Sequence, residues 1–217
     1  MTEPQVDLAA TWRSLAGAGH DHLLHVLVTC HGEPHRRYHT TTHVLWVLHH
    51  VNALLAAHRA ATGGQPGGAV DEAALQLAAL YHDVIYDPTA ADNEARSAAM
   101  ALAAAWELGW SAQRCQLVQR LVLATAGHQA LDEYEAILID ADLAILGASP
   151  DQYARYVADV RAEYAHVSAA DWRTGRGGVL RKLLARTHIY FTRAMSEARE
   201  TTARANLTAE LSTLEQP

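Results

Sequence analysis

The chain has 217 residues, half of them hydrophobic, and its 17 Lys plus Arg against 24 Asp plus Glu give a formal charge of -7 with histidines neutral. That length suits one domain with a full core, and the negative balance excludes the broad basic surface by which nucleic-acid and anionic-membrane binders engage phosphates. Cys30 and Cys115 stand in no metal or redox spacing, which argues against a disulfide-built secreted fold.

Met1 to Ala10 carries Glu3 and Asp7 and no basic stretch followed by an apolar one, so no secretory signal is expected. No run approaches about 18 apolar residues, so a cytoplasmic protein without membrane spans is expected. Alanine and leucine dominate the apolar residues without strand-like alternation, which predicts an all-α fold. In chain order, the breakers at 32–34, 63–68, 88, 109, 127, 147–150 and 175–178 divide the sequence into windows of helical length. They predict helices at 7–31, 40–62, 71–86, 92–108, 111–126, 133–146, 150–165, 177–195 and 196–214. Asp92 and Ser111 read as N-caps and Gly147 as a C-terminal glycine. The glycine-rich stretch at 63–68 reads as a flexible loop between neighbours of one bundle. The domain is expected to span 1–217, its core at about 20–190 with the C-terminal helices packed on it.

Histidine is the compositional outlier, with 14 residues, ten of them between His20 and His58. Three polar interruptions of apolar helices give it context. Ala73 to Tyr86 is apolar around nearly its whole circumference, so it should be buried on all sides, and His82 and Asp83 must be desolvated there. Either a metal ion compensates them, or a neighbouring hydroxyl or Arg serves the carboxylate while His82 packs as a core histidine. In Glu133 to Leu146, about 100° per residue puts Asp142 near the centre of the apolar arc and Asp140 on the opposite, solvated face. Near Tyr38, the residues His39, His43 and His50 share one edge of an apolar arc. An i, i+4 histidine pair can bind a metal, but Thr40 stands where a zincin needs Glu. The pair is equally compatible with capping and packing.

The ordered blocks Tyr38-His-Thr-Thr-Thr-His-Val44, Tyr81-His-Asp-Val-Ile-Tyr-Asp-Pro88, Asp92-Asn-Glu-Ala-Arg-Ser97 and Asp140-Ala-Asp-Leu-Ala-Ile-Leu-Gly147 resemble the HD superfamily, in its bacterial branch of predicted metal-dependent phosphohydrolases. Arg161 to Val167 and Ala203 to Leu207 are similar to that branch as well. The resemblance implies a helical bundle of the HD type with His43, His82, Asp83 and Asp142 as metal ligands. Two-metal members insert two further histidines before the last Asp; only His128 lies in that interval, which favours one divalent ion of the Mn, Fe, Co, Ni, Zn or Mg group.

The expected chemistry is attack by metal-bound hydroxide on a phosphate ester of a small metabolite, a nucleotide among the candidates. Asp83 would ligate and orient water. Asp87, on the same face if the helix persists, and Glu94 are candidate acids or bases, with helix capping as their alternative role. His39 and His128 are candidate phosphate donors. Arg176, within the basic segment Arg173 to Arg186, is a third candidate, with a solvated helix face as the alternative. The partner expected is a small phosphorylated substrate, with no stable nucleic-acid complex and no membrane; the oligomeric state is left open, a homodimer included. Two other readings stand beside this one. One is a non-catalytic nucleotide-binding or regulatory HD protein with a structural metal; the other is a His-rich metal carrier.

Overall fold

The computed structural model describes residues 7–63 and 71–216, so the N-terminal stretch through residue 6 and most of the glycine-rich loop at 63–68 lie outside the described residues. Ten α-helices and no strand are found among the described residues. They are α1 (Leu8–Ala16), α2 (Asp21–His31), α3 (Thr41–Thr62), α4 (Glu72–Tyr81), α5 (Asn93–Glu107), α6 (Ala112–Thr125), α7 (Glu133–Asp142), α8 (Pro150–Glu163), α9 (Ala169–Leu184) and α10 (Arg193–Leu214), with a 3-10 turn at Leu143–Gly147 after α7. None is long and apolar enough to cross a membrane.

Side-chain caps start most of these helices. Asp71, Ser111 and Asp132 each accept a backbone N–H from the first turn of α4, α6 and α7. Ser149 and Gln152 form a reciprocal capping box with Pro150 at the first position of α8. Asp92 occupies the N-cap position of α5, but its side chain makes no capping bond.

Four expected boundaries move, each for a physical reason. The helix expected over 7–31 is two helices, because Gly17 and Gly19 adopt φ of 67° and 98°, a region that a right-handed helix does not visit. The helix expected over 71–86 ends at Tyr81. The Ile85 N–H is taken by Ser97 Oγ at 3.0 Å, and Pro88 has no N–H to offer the Val84 carbonyl. Glycines 175, 177 and 178 do not break α9, which runs through them, with Gly177 buried in its packing. The break falls instead at 185–192, where carboxylates from elsewhere collect the backbone N–H groups. Glu200 receives those of Ile189 and Tyr190, and Asp140 those of Phe191 and Thr192. Asp140 is therefore fully buried, contrary to the helical-wheel expectation of a solvated face, and burial pushes its carboxyl up to about 6. Finally, α7 gives way to the 3-10 turn at Leu143, and Gly147 ends that turn without a positive φ. Its glycine requirement is close approach: a Cβ there would meet Arg199 Cβ at 2.5 Å.

The central helix is α4, whose residues Leu75, Leu77, Ala78, Ala79 and Leu80 are fully buried, as its apolar circumference predicts. It packs against α3, α5, α6 and α7, while α10 closes over the 3-10 turn and α9. One hydrophobic cluster runs from Trp12 of α1 to Leu207 of α10. The C-terminal ends of α4 and α7 meet the first turns of α3 at one edge of this core.

Candidate metal centre

Three elements deliver the candidate ligands. His43 stands in the first turn of α3, whose start is capped by Thr40. His82 and Asp83 form the turn where α4 stops, and Asp142 is the last residue of α7. Helix ends suit this purpose because a side chain leaving the last turn can lean along the axis toward a neighbour.

His43 Nε2 lies 3.1 Å from His82 Nε2, 3.3 Å from Asp142 Oδ1 and 3.5 Å from Asp83 Oδ2. His82 Nε2 is 3.1 Å from Asp83 Oδ2 and 3.6 Å from Asp142 Oδ1. Donor atoms about 2.1 Å from a single ion sit about 3.0 Å apart in octahedral and about 3.4 Å apart in tetrahedral coordination. The cluster has that spacing. His43, His82 and Asp142 form a group of ligand atoms all within 4.8 Å of one another, and it can hold a metal ion.

Hydrogen bonding prepares His82. His82 Nδ1 is 2.9 Å from the Ala79 carbonyl, which can only accept, so the ring proton resides on Nδ1 and the Nε2 lone pair faces the cluster. Two imidazole nitrogens then approach each other and two carboxylates at coordination spacing. Burial opposes charge on every member of the group, but the mutual attraction outweighs it. Both histidines are raised above the usual imidazole value by Asp83 and Asp142, and both carboxyls are held well below theirs by the facing imidazoles. A divalent ion bound there would replace this attraction and compete with protons for the same imidazole nitrogens.

The surroundings are asymmetric. The side chains of His43 and His82 are 1 % exposed, whereas those of Asp83, Asp142 and His39 are 15–19 % exposed and that of His128 is 36 % exposed. The cluster is closed on the α3–α4 side and open toward His39 and His128. His128 Nε2 is 3.1 Å from Asp142 Oδ2, and its backbone adopts φ of 46°, the one positive φ outside glycine among the described residues. A non-glycine residue there costs about 1 kcal/mol, an expense often found where a side chain must be aimed. His39 precedes α3 rather than opening it, with its Nε2 3.9 Å from Asp83 Oδ2.

Two residues that the sequence reading missed hold this arrangement together. Glu163, the last residue of α8, accepts the backbone N–H groups of Arg37, Tyr38 and His39 on Oε1 at 2.7–3.0 Å. Its Oε2 accepts His39 Nδ1 at 2.7 Å and the Tyr86 hydroxyl at 2.9 Å. It thereby fixes both the His39 loop and the His39 tautomer. Arg36 is 3 % exposed and donates to the carbonyls of Asp83 at 2.7 Å, Val84 at 2.9 Å and His39 at 3.0 Å. It satisfies the carbonyls left when α4 ends and ties that turn to the His39 loop. Neither residue belongs to a periodic pattern; Glu163 falls inside the Arg161–Val167 block, but its role, like that of Arg36, shows only in long-range contacts.

The other candidates lie apart. Asp87 is exposed and accepts both N–H and hydroxyl from Thr89, because α4 stops before a common face with Asp83 can form. Glu94 is half-buried in the first turn of α5, outside the cluster. The Arg176 guanidinium is engaged by both carboxylate oxygens of Glu210 and by the Tyr156 hydroxyl. His50 is buried against Trp46 and is not part of the cluster. A cavity of about 690 Å³ between α3, α7 and the start of α10 contains none of the cluster residues, so the chemistry of the donors, not the size of the cavity, marks this site.

Comparison of the chain with protein-family models, with curated proteins and with solved structures gives no match in any of the three. What stands on the structure is an all-α protein with a buried His/His/Asp cluster able to bind a metal.

Proposed function

We propose that the protein is a metal-dependent phosphohydrolase of the HD type, using one divalent ion held by His43, His82, Asp83 and Asp142 to hydrolyse a phosphate ester of a small metabolite. The observation that carries this reading is the 3.1 Å approach of two buried imidazole Nε2 atoms, one with its tautomer fixed, beside two carboxylates at coordination spacing. A divalent ion in such a site acidifies a water molecule and polarises a phosphoryl oxygen. The chain's own residues do the rest. Asp83, at the open edge, accepts a hydrogen from the attacking water and orients it. His39, held by Glu163, and His128, held by Asp142, stand at the two sides of the opening; each has one N–H engaged by its carboxylate, so it donates to a phosphoryl oxygen through the other nitrogen in its imidazolium form.

Elemental analysis of freshly purified protein, paired with a phosphatase screen across added divalent ions, tests this. About one equivalent of metal and phosphatase activity lost on chelation and in Asp83→Ala is the expected result. Activity that survives both refutes it. The alternative, a regulatory protein with a structural ion, is favoured by the fact that the donors come from three helices, which an ion would cross-link. A metal-dependent melting temperature with silence across the phosphate panel would select it, whereas a His-rich metal carrier would bind several equivalents.

A further inference from the structure

Tyr38 is the residue whose chemistry the site leaves unexplained. Its ring packs on His43 at 4.6 Å between centroids and edge-on against Tyr156 at 4.6 Å. Its hydroxyl is buried and makes no hydrogen bond. His43 is one of the proposed ligands, so the phenol of Tyr38 borders the candidate metal centre. A buried O–H without a partner costs about 1–3 kcal/mol, and phenylalanine would fill the same space without that cost. The Tyr156 hydroxyl already accepts from Arg176, and Glu163 is saturated by the five donors described above. No acceptor of the fold engages the Tyr38 hydroxyl, which leaves it able to donate to a bound molecule.

An anion bound beside Asp83 and Asp142 faces two carboxylates, so besides the ion it depends on hydrogen-bond donors, and a phenol O–H is one that adds no negative charge. We infer that the Tyr38 hydroxyl donates a hydrogen bond to a non-bridging oxygen of a phosphoryl group bound at the metal centre, making Tyr38 an oxyanion-binding residue of the site. This rests on the phosphohydrolase reading given above.

The test compares wild type with Tyr38→Phe, a change that removes one oxygen and preserves the ring packing. Inorganic phosphate binding is measured by titration calorimetry on the full chain loaded with Mn²⁺, and the melting temperature is measured on the metal-free, phosphate-free protein. Tyr38→Phe should bind phosphate about tenfold more weakly, which corresponds to about 1.4 kcal/mol. It should melt at the same temperature as wild type or higher, because a buried unpaired group has been removed. Equal phosphate affinity in the two proteins, with binding abolished by chelation in both, overturns the role of Tyr38 and leaves the phosphohydrolase reading standing. A melting temperature lowered in Tyr38→Phe also overturns it, since the hydroxyl would then have a partner within the fold. No phosphate binding by wild type with Mn²⁺, Zn²⁺ or Mg²⁺ overturns both.

Discussion

Glu163→Gln separates positioning from bulk stability more cleanly than any other single change. The Glu163 carboxylate is buried and receives five donors, three backbone N–H groups on one oxygen and His39 Nδ1 with the Tyr86 hydroxyl on the other. Burial alone would raise its pKa. The hydrogen bond and charge of His39, followed by the N–H groups of Arg37 and His39, reverse that and hold it at about 2. The folded value lies below the unfolded one, near 4.5, so the ionised form contributes stability that is fully present above pH 5 and is lost as pH falls toward 2. At about 1.36 kcal/mol per unit, this amounts to about 3 kcal/mol at neutral pH and less than half of that by pH 3. In the Gln variant the carbonyl oxygen can keep the three N–H groups, while the amide now donates where His39 Nδ1 did. The imidazole must give up its Nδ1 proton or turn away.

Urea denaturation from pH 7 to pH 3 should show the wild type more stable by about 1–3 kcal/mol at neutral pH, with the gap closing below pH 5. In phosphatase assays kcat should fall about tenfold or more while metal stoichiometry is unchanged, because Glu163 touches none of the proposed ligands. A stability gap that is constant with pH, or unchanged kcat in a folded variant, would refute the positioning role.

Three further outcomes are expected. Chelation should lower the melting temperature, and re-addition of a divalent ion at about 100-fold its Kd should restore about 2.7 kcal/mol, a shift of several degrees by calorimetry; a melting temperature blind to metal would count against a site joining α3, α4 and α7. Gly147→Ala places a Cβ 2.5 Å from Arg199 Cβ and 2.9 Å from the Arg199 carbonyl, so denaturant titration should show a loss of about 1–3 kcal/mol from overpacking between the 3-10 turn and α10. His50 is held neutral mainly by burial and then by Arg199 and His49, with its pKa lowered to about 3, so its protonation destabilises the fold progressively as pH falls below 6.5. His50→Leu should flatten the pH dependence of stability between pH 6.5 and 4 and leave metal binding intact; an unchanged slope would show that His50 does not control acid sensitivity.

The sequence by itself determined the helical class and the burial of α4 around its whole circumference, which follow from apolar periodicity written in local order. The cost of an ionised carboxylate in an apolar helix called for a partner, and it was the resemblance of the ordered blocks, not that cost, that pointed to His43, His82, Asp83 and Asp142 together. Tertiary structure decided what depends on distant donors. Asp140 sits opposite the apolar arc of its own helix, yet the segment leading into α10 brings the N–H groups of Phe191 and Thr192 to it and buries it. The α4 helix stops early because Arg36 and Ser97 offer its backbone other partners, and that premature end separates Asp87 from Asp83. Glu163 reaches the His39 loop across 124 residues, and Arg176 is spent on Glu210. A helical wheel ranks faces by one element's own side chains; where a second element supplies the hydrogen bonds, only the packed structure can say which polar residue is inside.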